Sequence, residues 1–344
     1  MKFDKKLVLK LPIIIFFLLY LTYTFLKPKK GKWEDGKRQY SDTITIESPI
    51  DKLDGAFRLS FKDSTILLIN EKKLKINNLK NKKIDEWKSN DAYYATIIND
   101  SIIYLDSKKK LLFKILNGKI IDSVEFKGTD GELAVANNDV YSYGFKLEKD
   151  SFEFYLQNKI GVKLIDLSKV FYNELKNVLP ECKLSIAESK IVSNNKIVVF
   201  IPTKIGSFII YNIQNNKYTK VRTIDKREFI QQEQLKFDVP GVGSGYKCAA
   251  VQSNEYIQTS ACIQQQTLYI LQDIIIGSKK DNTLYCVIDL YDVSTFAYIK
   301  SIKIKIKDKT NEIVQIDCDK DYLYLLMFDG SVCKVKYNNK ATDL

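Results

Sequence analysis

Six carboxylates stand at the entrance to six apolar stretches: Asp54-Gly-Ala, Asp91-Ala-Tyr, Glu132-Leu-Ala, Glu188-Ser-Lys, Glu255-Tyr-Ile and Glu312-Ile-Val. Brought side by side, the stretches would crowd these acids around one opening. Crowded carboxylates repel, raise one another's pKa and attract a hard cation; Ca²⁺ suits such a ring, but no resident cofactor is expected. Acidic residues are also common in the turns ahead of strands for purely local reasons. The chain has no histidine. That excludes Ser-His-Asp and Cys-His catalysis, histidine-ligated zinc and histidine pH switches.

Two other groups of residues invite a chemical reading. Pro240–Lys247, PGVGSGYK, has the glycines of a phosphate cradle, but Cys248 follows the lysine where a P-loop needs Ser or Thr at the start of a helix. The stretch reads instead as a flexible loop over the opening, with Tyr246 and Lys247 as its ligand contacts. The six cysteines, Cys182, Cys248, Cys262, Cys286, Cys318 and Cys333, include no CxxC pair. Most read as small buried residues in strands. Cys248 and Cys262 are symmetric about Glu255 and are placed to form a disulfide in an oxidising compartment.

The elements that must position these groups are strands. Glu312–Tyr337 reads as three short strands separated by Asp-Lys-Asp and Asp-Gly-Ser turns. Its second strand, Tyr322–Phe328, has counterparts at Ser64–Ile69, Ser101–Asp106, Asp139–Gly144, Lys196–Ile201 and Thr267–Gln272. Four short strands repeated at about 40 residues describe a propeller blade, whose faces are buried only when neighbours stack radially. The expected fold is therefore all-β: a six-bladed β-propeller of four-stranded antiparallel blades spanning residues 41–344. The final unit lacks a fourth strand and a lone strand, Asp42–Glu47, precedes the first unit. Pairing of Asp42–Glu47 with Val332–Tyr337 is the expected closure of the ring. Insertions fall at Asp166–Leu179, whose apolar spacing predicts a short amphipathic helix, and at Asp225–Asn254, expected to overhang the opening.

Ahead of the repeats, residues 1–26 hold the apolar run Leu11–Leu26 behind a lysine-rich head. Leu7–Leu26 is long enough to cross a bilayer as one N-terminal transmembrane helix. No small-residue cleavage box follows it, which favours a retained signal anchor over a cleaved signal peptide. Residues 27–40 form a basic tether. Net charge is +12, of which +7 lies in residues 1–40. The folded part is thus only mildly basic, and nucleic acid is not an expected partner. Anionic lipid at the lysine-rich strands remains a minor alternative.

The repeat pattern, carried most clearly by Tyr256–Asp273, Leu284–Ile304 and Glu312–Tyr337, resembles the TolB-like six-bladed propeller proteins, relatives in shape of NHL-repeat domains. The resemblance implies an extracytoplasmic, periplasmic propeller that binds or scaffolds a protein or small ligand at its channel mouth without catalysis. The enzymatic alternative is a Ca²⁺-dependent hydrolase or lyase built on the carboxylate ring.

Overall fold

The computed structural model describes residues 38–337, except for position 47 and short stretches at 71, 89–91, 99–100, 107–108, 117–118, 128–131, 138, 149–150, 179–181, 184–187, 225–231, 240–242, 251–255, 278–283 and 307–311. Within them the chain is a six-bladed β-propeller. Blade one comprises Arg58–Lys62, Thr65–Ile69, Lys73–Asn78 and Lys83–Lys88, antiparallel and in chain order from the axis outward. Blades two to five repeat that order, with inner strands Ala92–Ile98, Leu133–Ala136, Ser189–Ser193 and Gln258–Gln264. Blade six has inner strand Ile313–Cys318, followed by Tyr322–Met327 and Ser331–Lys336. Every repeated stretch found in the sequence is a second strand. Asp and Asn shape the turns as expected: the Asp319 carboxylate accepts the amides of Asp321 and Tyr322, and Asn194 accepts those of Lys196 and Ile197.

Closure is visible in the packing. Among the described residues, six hydrophobic clusters occur, one between each pair of successive blades. Leu67, Ile69 and Leu74 of blade one meet Ala95 of blade two. Tyr94 and Leu105 meet Leu133 and Val140. The aromatic-rich third seam joins Tyr143 and Phe154 to Phe200, with ring centroids 5.7 and 5.3 Å from the Phe200 ring. The last cluster joins Leu326 and Val332 of blade six to Leu59 and Ile66 of blade one. Neither face of an isolated blade is polar, so each seam supplies what the single unit lacks.

The strand that completes blade six is not the expected one. Asp51–Lys52 pairs antiparallel with Val332 and Ser331, extended by the Ile50 amide to the Val332 carbonyl and the Leu53 amide to the Gly330 carbonyl. The Asp51 carboxylate is nine-tenths buried and is held by Lys75 and Asn77 of blade one, so this short strand ties the last blade to the first. The predicted closing strand runs instead as Tyr40–Thr45, parallel to Ala297–Ile306, as a fifth strand on the outer edge of blade five. Its alternating Ile44 and Ile46 are satisfied there, against the cluster between blades five and six. Arg38 fixes the approach with a two-pronged bond to the fully buried Asp289.

The insertion at Asp166–Leu179 forms two single-turn helices, Leu167–Val170 and Tyr172–Leu175, with Asp166 capping the first. Leu167, Phe171 and Leu175 bury one face against the seam between blades three and four. Leu7–Leu26 lies outside the described residues, among which no helix is long and apolar enough to cross a membrane.

Candidate functional site

The inner strands of the six blades surround a central cavity of about 910 Å³. Inner strands of different blades are too far round the ring to share a ladder, so their channel-facing backbone groups need side-chain partners. Polar residues of the neighbouring blade supply them. Gln315 of blade six accepts the Leu59 amide and donates to the Leu59 carbonyl, at 2.8 and 3.0 Å. Ser260 accepts the Ile316 amide, and Ser193 donates to the Val135 carbonyl. Ser60 and Thr96 join blades one and two through their hydroxyls, 3.2 Å apart. Much of the channel's polarity therefore holds the ring together.

At the end where the inner strands begin, Arg58, Glu132 and Lys190 come from blades one, three and four. Arg58 donates from both terminal nitrogens to the two Glu132 oxygens, at 2.8 and 2.6 Å, and Lys190 donates to one of them at 2.8 Å. The guanidinium also lies over the Tyr94 ring, 4.5 Å from its centroid. Burial pushes the Glu132 carboxyl up, but the charges and hydrogen bonds of Arg58 and Lys190 outweigh it and bring the carboxyl down to about 2. Burial, with the nearby Glu132 charge, pushes Tyr143 up to about 12.

Of the six acids expected around the opening, four lie among the described residues. Glu132, Glu188 and Glu312 immediately precede inner strands at the same end, as the register requires, but only Glu132 lines the cavity. Glu188 is exposed, and Asp54 sits in the loop behind the closing strand, where its carboxylate is open to solvent beside Lys52. Glu312 is half-buried, and its carbonyl accepts the Phe328 amide. Asp91 and Glu255 lie outside the described residues. Tyr246 and Lys247 belong to a strand, not a loop: Gly243–Ala250 pairs with Gln232–Val239 as a separate two-stranded sheet, with Tyr246 opposite Lys236 and Lys247 opposite Leu235. The Cys248–Cys262 disulfide is not formed, since Cys262 is a free thiol. Cys182 is disulfide-bonded.

At its other end the cavity reaches the hairpins that follow the inner strands. Lys62, Asp63, Ser64, Lys80, Asn137, Asn195, Gln264 and Gln265 surround this mouth, with Asp319–Asp321 of blade six. Asp63, Ser64, Asn137 and Gln265 all have positive φ, as tight turns between strands demand. Among the described residues, the side chains of Lys62, Asn137, Asn195 and Gln264 make no hydrogen bond, unlike the polar groups deeper in the channel.

On the wall between blades five and six lie Asp317, Cys318 and Cys262. The Asp317 oxygens accept the Phe61 and Cys318 amides, both at 2.7 Å. Burial nevertheless pushes this carboxyl up to about 7. Sequence reading missed Arg58, Lys190 and Asp317. A signal for the first two existed, because Arg58 and Lys190 are the first and second residues of their inner strands, four and two residues after Asp54 and Glu188. Nothing marked Asp317, which reads as one more acid near a turn.

No protein-family model matches the chain, and no curated protein matches it. Solved propellers do. The virginiamycin B lyase of Staphylococcus aureus aligns at 11% identity and TM-score 0.43, over 85% of this chain and 98% of its own. The WD40 domain of Neurospora crassa Pan2 aligns at 8% identity and TM-score 0.45, over 88% and 97%. A chain of the mitotic checkpoint complex aligns at 10% and 0.48, over 91% and 97%. At these values the likeness is to the fold alone, and it carries no argument about activity.

Proposed function

We propose that this protein is a membrane-anchored, extracytoplasmic propeller that binds or scaffolds a protein or small polar ligand at the hairpin-end mouth of its channel, and does not turn it over. One observation carries the reading: of the acids expected at the opening, Glu132, which lines the channel, is already neutralised by Arg58 and Lys190. A carboxylate held ionised by two cations is a poor general acid and leaves no charge for a hard metal. The opposite mouth instead offers amides and lysines without hydrogen-bond duties inside the fold. The basic, apolar N-terminus supports an anchor at Leu7–Leu26. The repeat pattern's resemblance to TolB-like propellers and the disulfide at Cys182 support an oxidising, extracytoplasmic location.

The test is affinity capture from detergent-solubilised membranes, comparing the full chain with an Asn195→Trp variant whose indole would obstruct the mouth. The reading expects a species captured by the parent chain and lost from the variant. Equal capture by both would place recognition elsewhere on the molecule. Carbonate extraction tests the anchor, and release of the intact chain from membranes would remove it.

A further inference from the structure

Three ligand atoms converge on the channel wall away from the Glu132 cluster. The sulfurs of Cys262 and Cys318 and a carboxylate oxygen of Asp317 all lie within 4.8 Å of one another. They come from the inner strands of blades five and six, which pack side by side. All three residues line the central cavity. We propose that Cys262, Cys318 and Asp317 form a binding site for one zinc-like divalent ion, open to the channel at its remaining coordination position.

The donor set selects the class of ion. Two thiolates suit a borderline or soft metal, whereas Ca²⁺ and Mg²⁺ take oxygen-only shells. Three protein ligands with a fourth position toward a cavity is the arrangement of an open zinc site. The support around the ligands is already in place. The Phe61 and Cys318 amides hold the Asp317 carboxylate, leaving each oxygen a further lone pair for a metal. No lysine or arginine pairs with Asp317 among the described residues, in contrast to Glu132, so its charge has no cation of its own. Binding converts both thiols to thiolates and releases their two protons to solvent, together with the Asp317 proton wherever that carboxyl is protonated, with no redox change. The site is independent of what the mouth recognises.

The experiment uses the full chain in detergent, reduced and stripped of metal, titrated with Co²⁺ as a spectroscopic stand-in for Zn²⁺. The site predicts thiolate-to-cobalt charge-transfer absorption that saturates at one equivalent and is abolished by one equivalent of Zn²⁺. A Cys262→Ser/Cys318→Ser variant should lose the band, while Cys286→Ser/Cys333→Ser should keep it. Asp317→Asn should weaken Co²⁺ binding by at least ~10-fold, the lower end of what altered metal shells cost. Circular dichroism of each variant checks folding. For a variant that unfolds, the parent chain supplies the decision: Zn²⁺ must protect two thiols, identified by mass spectrometry as Cys262 and Cys318, from alkylation in mild denaturant. Absence of the band, its survival in the double serine variant, or a reduced Cys262–Cys318 pair that takes up no Co²⁺ would each overturn the proposal.

Discussion

Replacing Glu132 by Gln discriminates between two opposite pictures of the channel. If six acids repelled one another at the mouth, removing one charge would stabilise the protein. The structure says otherwise, because Glu132 is the shared acceptor of Arg58 and Lys190, and its side chain is only 14% exposed. Glutamine keeps the shape but leaves two cations facing a neutral amide. The carboxyl sits at about 2 in the fold, against an ordinary value of 4.5. At about 1.4 kcal/mol per pKa unit this corresponds to roughly 3 kcal/mol, within the range for breaking one side of a buried ion pair. For a domain this large the variant should melt about 5–8 °C lower at pH 7. Because the folded value is depressed, the parent's advantage is complete above about pH 4.5 and fades as pH falls toward 2. Thermal melts of the full chain and the variant, followed by circular dichroism at pH 7 and pH 3, read both effects. A variant as stable as the parent at neutral pH, or a gap that widens in acid, would refute the ion-triad reasoning.

Other expectations concern closure and cohesion. Gly330 has φ +79°, and a Cβ there would lie 2.1 Å from the Leu53 carbonyl oxygen; Gly330→Ala should cost upward of ~3 kcal/mol in chemical denaturation, since strain and a backbone clash fall on the closing strand. Asp51→Ala should cost a similar amount by leaving Lys75 without its carboxylate. Among the described residues, the seam between blades one and two has four buried apolar residues, against eighteen between blades five and six; hydrogen exchange should therefore find the amides of Ser101–Asp106 less protected than those of Leu284–Asp292. Ca²⁺ should leave the melting temperature unchanged, and a clear rise at millimolar Ca²⁺ would revive the acid ring.

The architecture was legible because blade physics is local and repeated. Second strands such as Tyr322–Met327 are apolar throughout, bounded by Asp turns, and recur often enough to be counted. Closure was less legible. Asp42–Glu47 and Asp51–Lys52 compete for the same role, and the longer, more strand-like segment is the wrong one. The two-residue strand wins because Asp51 is tied to Lys75 and Asn77 of blade one, an interaction across the closing seam that no local pattern displays. The carboxylates were recognisable as a set, but their meaning depended on Arg58 and Lys190, 74 and 58 residues away from Glu132. The pairing of Cys262 with Cys318 was hidden for the same reason, since blade stacking brings together positions that sequence spacing separates.

Site-specific photocrosslinking at the hairpin-end mouth tests the central claim most directly. A photoreactive amino acid at Gln265 should trap a defined partner or ligand in native membranes, while the same probe at Ile121 on the exposed outer strand of blade two should trap none. Trapping of the same species from both positions, or from Ile121 alone, would contradict a binding propeller that recognises its partner at the channel mouth.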